Sequence, residues 1–99
     1  MKVFFYPIAV QDIASQVEYF FDEFAYDAAE RFPAAVDAAA LFVMRQPDAG
    51  VPSVAGLRAW AVPGFPKVRI FYHCPTSEWL HIVRVLHTAR DVDSILENE

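Results

Sequence analysis

The chain is poor in cysteine, glycine and positive charge. Its 99 residues hold one cysteine, three glycines and eight Lys plus Arg against thirteen Asp plus Glu. With Cys74 alone, an internal disulfide and a cysteine-cluster metal site are both excluded. A reducing cytoplasm is the simplest setting for such a chain. Three glycines leave no glycine-rich phosphate loop. No apolar run approaches the ~18 residues that cross a bilayer. Met1 to Val10 has one lysine, a short apolar run and an early proline, without a signal peptide's length or cleavage site. Internal repeats, low-complexity tracts and linkers are missing as well. The expectation is one domain over residues 1–99, with no membrane segment.

What is present is apolar. Hydrophobic residues make up 56% and aromatics 15%, enough for a core without disulfide or metal staples and for an apolar patch facing a partner. The net charge of −5 is unevenly spread. Residues 1–57 carry three basic side chains (Lys2, Arg31, Arg45) and eight acidic ones. Residues 58–90 carry five basic ones (Arg58, Lys67, Arg69, Arg84, Arg90) and only Glu78. Residues 91–99 add Asp91, Asp93, Glu97 and Glu99 with no base. The fold is therefore expected to present an acidic half and a basic half.

The periodicities predict the elements. Lys2-Val3-Phe4-Phe5-Tyr6 is β-branched and aromatic, a short strand stopped by Pro7. Val10, Ile13, Val17, Phe20, Phe21 and Phe24 recur at helical spacing over roughly 15 residues. Asp27 and Glu30 fit a helix N-cap pair, and Phe32, Val36, Ala39, Ala40 and Val43 continue with helical period. Pro33 either opens that second helix at its first position or kinks it. Pro47, Gly50 and Pro52 end it. Leu57 to Val62 reads as a strand, Pro63-Gly64-Phe65-Pro66 as a turn, and Val68 to His73 as the next strand. Trp79 to Leu86 alternates as a last strand, with Ile82, Arg84 and Leu86 on one face and His81, Val83, Val85 and His87 on the other. Val92, Ile95 and Leu96 mark a short terminal helix. The expected class is α+β: a two-helix hairpin on a small, mostly antiparallel sheet, in the order β-α-α-β-β-β-α.

Several stretches, taken in order, resemble the ParE branch of the RelE/ParE toxin superfamily over nearly the whole chain. Asp27-Ala28-Ala29-Glu30-Arg31-Phe32 is similar to the stretch that opens the second helix there. Gln46-Pro47-Asp48-Ala49-Gly50 is similar to its helix exit. Leu57-Arg58-Ala59-Trp60 and Ile70-Phe71-Tyr72 match its central hairpin, and Arg84-Val85-Leu86-His87-Thr88-Ala89-Arg90-Asp91 matches its closing strand. The resemblance implies a type II toxin–antitoxin toxin of the plasmid-stabilisation kind. It would act by binding DNA gyrase and be neutralised by a ParD-like antitoxin, with no catalytic residues, cofactor or metal. Sequence-specific DNA binding by the chain itself is not expected.

On that reading the target-facing residues are Arg58, Arg69, Arg84, His87 and Arg90, because arginine suits desolvated contacts to anions. Each also has a plain structural use. Arg84 can pair with Asp12, Glu18 or Asp22 of the helices, and Arg90 beside Asp91 can tie down the terminal turn. Phe20, Phe21 and Phe24, with Tyr19, form an aromatic band that either packs the core or receives the antitoxin. The alternative is the superfamily's RelE activity, ribosome-dependent cleavage of messenger RNA. His73, His81 and His87 with Arg69 and Arg84 are the residues available for it, although ribosome-directed proteins are usually strongly basic. A third reading is a non-toxic interaction protein on the same fold. His73 and His81 without a third ligand make a poor metal site, and Cys74 has no base at fixed spacing.

Overall fold

A computed structural model describes residues 1–98. The chain runs β1 (Lys2–Phe5), α1 (Pro7–Asp22), α2 (Tyr26–Arg45), β2 (Val51–Pro52), a single 3-10 turn at Val54–Gly56, β3 (Arg58–Val62), β4 (Phe65–His73), β5 (Trp79–His87) and α3 (Val92–Glu97). The sheet order is β1-β5-β4-β3-β2. β1 lies parallel to the first half of β5, from Lys2 opposite Trp79 to Phe5 opposite Ile82, and the other neighbours are antiparallel. The fold is α+β as expected, with one strand more than the sequence pattern gave. β2 is two residues long and includes a proline, too short to leave a periodic signal.

Both helices start without a side-chain cap. Pro7 opens α1 after Tyr6, where its missing N–H costs no helical bond. The second helix begins at Tyr26 with Ala25 at the N-cap position, so Asp27 and Glu30 are not the capping pair expected of them. Asp27 sits in the first turn instead, where its charge suits the helix dipole, and it accepts from Arg31 Nε at 2.8 Å. Pro33 neither starts nor ends this helix. It lies within a continuous Tyr26–Arg45 segment, on the exposed side, where the lost backbone bond faces water.

Ala29, Phe32, Val36, Ala39, Ala40 and Val43 form the buried stripe of α2. All of them but Ala29 pack on Val62, Phe65, Val68, Ile70, Tyr72, Leu80, Ile82 and Val85 of the sheet, with Ala9, Ile13, Val17 and Phe20 of α1 alongside. Fully burying one such side chain is worth about 1.5–3 kcal/mol. A second core lies on the other side of the sheet. Leu57, Ala59, Phe71, Val83 and Leu86 are covered there by Leu96, with Val92 and Ile95 of α3 packed around them. The terminal helix thus presents the apolar side that the sequence pattern assigned to it.

The expected face assignment of the last strand is corrected by a bulge. Phe71 pairs with Arg84 but Tyr72 pairs with Ile82, leaving Val83 as an extra residue. One added residue swaps the faces that follow it. Leu80, Ile82 and Val85 therefore join the helix-side core, while Val83 and Leu86 join the outer one. The turn before β4 is also shorter than expected. Only Pro63 and Gly64 form it, Gly64 at φ +79, and Phe65 and Pro66 already belong to the strand.

Candidate functional site

β1 covers only the first half of β5, so the rest of that strand's edge is open. Helix α1 closes it. Asp12 accepts from the Val85 backbone N–H at 3.0 Å, standing where a neighbouring strand's carbonyl would be. The same carboxylate accepts from Arg84 Nε at 2.7 Å and Nη2 at 2.9 Å. Both side chains of the pair are only 8% exposed. Arg84 is thus a buried bidentate partner of Asp12, one of the three carboxylates the sequence offered. It is not on the free surface of the chain, which removes the geometric basis for a target-facing role.

Arg58 is also engaged. It donates to the Gly50 carbonyl at 2.7 Å and the Asp48 carbonyl at 3.4 Å, and lies 3.8 Å from the Asp48 carboxylate. Tyr72 fastens the same loop from inside the core: its hydroxyl donates to the Pro47 carbonyl at 2.7 Å and accepts from the Gly50 N–H at 2.9 Å. A Cβ on Gly50 would fall 2.4 Å from that hydroxyl, so the loop position requires glycine. Burial pushes the Tyr72 hydroxyl above its ordinary pKa, against the smaller opposing pull of the Gly50 N–H and Arg58. Arg58 and Tyr72 therefore hold the exit of α2 in place.

Arg69, His87 and Arg90 are gathered around the C-terminal end of β5. Arg69 and Arg90 line one cleft of about 370 Å³ between the outer sheet face and the start of α3, with Ser53, Thr88, Asp91 and Asp93. Neither guanidinium makes a hydrogen bond or ion pair to another described residue. Arg90 also lines a neighbouring groove with His87, Gln16 and Tyr19. His87 Nδ1 accepts from the Ala89 N–H at 3.0 Å, which fixes its tautomer with the proton on Nε2.

The other two histidines are elsewhere. His73 and His81 are a direct cross-strand pair, ring centroids 5.5 Å apart, beside Phe4 and Tyr6. Burial, then the neighbouring His81, lowers the pKa of His73. His87 is six residues further along β5, about 20 Å at ~3.3 Å per residue, and the bulge turns it to the opposite face. The three histidines do not share one site. Among the described residues no cluster of three His, Cys, Asp or Glu is placed to hold a metal ion. Cys74 is exposed, and partial desolvation together with Asp48 raises its thiol pKa, the reverse of what activates a nucleophile.

The aromatic band divides. Phe20 points into the core, its ring 5.7 Å from Phe32 and 5.5 Å from Phe65. Phe21 and Phe24 are exposed at the tip of the helix hairpin. Sequence reasoning missed both the Asp12 bond to Val85 and the Tyr72 lock on Gly50. They join residues 73 and 22 positions apart, and no local pattern marks either.

No described helix is long and apolar enough to cross a membrane. A search of curated protein sequences returns no match. The family model described as "ParE toxin of type II toxin-antitoxin system, parDE" matches residues 3–92, from β1 to the first residue of α3. The helix hairpin, the open sheet and this match together make the chain a member of the ParE toxin family of the RelE/ParE superfamily, the toxin half of a type II toxin–antitoxin module with a cognate antitoxin as its partner.

Proposed function

We propose that this toxin acts by binding and inhibiting DNA gyrase, without covalent chemistry of its own, and that a ParD-like antitoxin neutralises it. The observation that carries this reading is the pair of exposed arginines, Arg69 and Arg90, which line one cleft at the end of β5 and pair with no other described residue. Exposed guanidinium groups without an ion pair to another described residue are suited to an acidic partner surface. His87, on the adjoining groove, extends the same surface. Arg58 and Arg84 support it from behind by fixing the α2 exit and the β5 edge. The reading takes residues 1–99 as one toxin domain acting in the cytoplasm, where gyrase works.

The test is ATP-dependent supercoiling by purified gyrase with rising amounts of the toxin. Dose-dependent inhibition, relieved by the antitoxin, is expected. Replacing both Arg69 and Arg90 with alanine should weaken inhibition by roughly tenfold or more while leaving stability within about 0.5 kcal/mol, since both side chains are exposed. Unchanged inhibition by that double variant sinks the site.

One observation favours a second reading, messenger cleavage: two free arginines in one cleft also suit a phosphate backbone. Asp91 and Asp93 temper the charge of that cleft on either reading; against cleavage, its described lining holds no His, Lys or Tyr to act as an acid–base group. The histidines nearest one another, His73 and His81, are at the far end of the sheet. Primer-extension mapping of messenger cuts after induction separates the two.

A further inference from the structure

The turn between α1 and α2 carries two local costs, a positive φ on a non-glycine residue and an exposed aromatic side chain. Helix α1 ends in a Schellman pattern: the Ala25 N–H bonds to the Phe20 carbonyl at 2.8 Å and the Phe24 N–H to the Phe21 carbonyl at 3.0 Å. Phe24 takes the left-handed position of that cap, at φ +58. Glycine or asparagine is the usual residue there, because a Cβ is strained at positive φ. The side chain gains no burial in exchange, being 78% exposed. Its ring meets only that of Tyr26, at 6.3 Å, and Phe21 meets Tyr26 at 5.8 Å. Phe21 is 52% and Tyr26 57% exposed. Tyr26 thus meets both Phe21 and Phe24 at the hairpin tip, and all three rings leave about half or more of their residue area in water. Strain and exposure at one position point outward, to a partner.

Charge selects the partner. Residues 18–30 contain Glu18, Asp22, Glu23, Asp27 and Glu30, all exposed; Arg31, which follows, pairs with Asp27 and leaves the stretch acidic overall. A symmetric contact between two copies would set this acidic patch against itself. Anionic lipid headgroups and nucleic acid would be repelled in the same way. A protein segment with an apolar anchor flanked by Lys or Arg fits both features.

We propose that the hairpin tip is the anchoring point for the antitoxin, with Phe24 packed into an apolar, Lys/Arg-flanked segment of it. This rests on the chain being an antitoxin-controlled toxin and adds where the antitoxin is held and by what chemistry. The exposed pair Phe21 and Tyr26 forms the floor of the contact, and Asp22 and Glu23 supply its charged rim. Phe20 belongs to the core and has no part in it.

The experiment is calorimetric titration of the full-length toxin with the antitoxin encoded beside it, for the wild type, Phe24→Gly and the double variant Asp22→Asn/Glu23→Gln. Phe24→Gly should hold or raise the melting temperature, since glycine relieves the positive φ. It should also weaken binding by roughly tenfold or more. A structural residue would not move stability and affinity in opposite directions. The amide variant should lose much of the fall in affinity seen as ionic strength rises from about 0.05 to 0.5 M. Wild-type affinity in Phe24→Gly overturns the proposal and leaves the toxin reading intact. Failure of the wild-type toxin to bind the antitoxin overturns both.

Discussion

Asp12 does three things with one carboxylate: it pairs with Arg84 twice over and closes the β5 ladder at Val85. Removing either partner of a buried ion pair strands the other charge in a dry site, at a cost of about 3–5 kcal/mol. Arg84→Ala and Asp12→Ala should each lose that much in chemical denaturation. The double replacement Asp12→Leu/Arg84→Met should lose clearly less than the sum, because it removes both charges together. Additive losses would mean that the pair is not the interaction being measured. Loss of toxicity in Arg84→Ala is then expected from unfolding alone, so toxicity of this variant has to be read per folded molecule. From the sequence, Asp12 was one of three acids within reach of Arg84. Choosing among them takes the angle at which α1 crosses the open edge, which no residue pattern encodes.

At the scale of elements, α2 shows how far a stripe outweighs a breaker. Six buried positions hold the helix against the sheet, and their combined burial exceeds the cost of one proline inside it, about 3 kcal/mol. Pro33 faces solvent, so Pro33→Ala restores a backbone bond without disturbing the core. It should stabilise the protein by about 1–3 kcal/mol, read as a higher melting temperature and slower helix amide exchange. No gain would show that the proline is relieved by bending of the helix. The second element-scale lesson is the Val83 bulge. Strict alternation placed His81 and His87 on one face, and a single unpaired residue separates them. Bulges depend on the partner strand's register, so a single strand's sequence does not reveal them.

At the scale of the whole molecule, two cores share one sheet, and the titratable groups beneath them set the pH range. His73 is held below its ordinary value of 6.5, first by burial and then by His81. As pH falls, the unfolded chain protonates at this position before the folded one does. The contribution of neutral His73 is therefore present above 6.5 and is lost as pH falls through the lowered folded value. Tyr72 acts in the opposite sense. Its folded pKa is raised from 10.0, chiefly by burial, so its contribution is present below 10.0 and lost as pH rises through the raised value. Thermal melts between about pH 8 and 5 should decline on the acid side, and His73→Gln should flatten that decline. An unchanged slope in the variant would assign the acid loss to other groups. The charge groups of the sequence meet in the fold: Arg69 and Arg90 line the cleft at the end of β5, and the acidic run begins on the part of α1 that shares a groove with His87 and Arg90. Tyr19, at the C-terminal end of α1, shares a groove with His87 and Arg90, so target and antitoxin are proposed for adjoining surfaces at one end of the molecule.

The sequence by itself determined the helix stripes, the three main strands, the class and the family, because these follow from local period and from short motifs in fixed order. It also determined that basic side chains cluster late in the chain. Tertiary structure alone decided which of them are taken up by other described residues. Arg84 is consumed by Asp12 and Arg58 by the α2 exit loop, while Arg69 and Arg90 face a cleft that exists only once α3 folds back over the sheet. It likewise divided the aromatic band, burying Phe20 and leaving Phe24 in water. Helical spacing gives the angle of a side chain around its own axis. What lies opposite that angle depends on where the chain's other segments end.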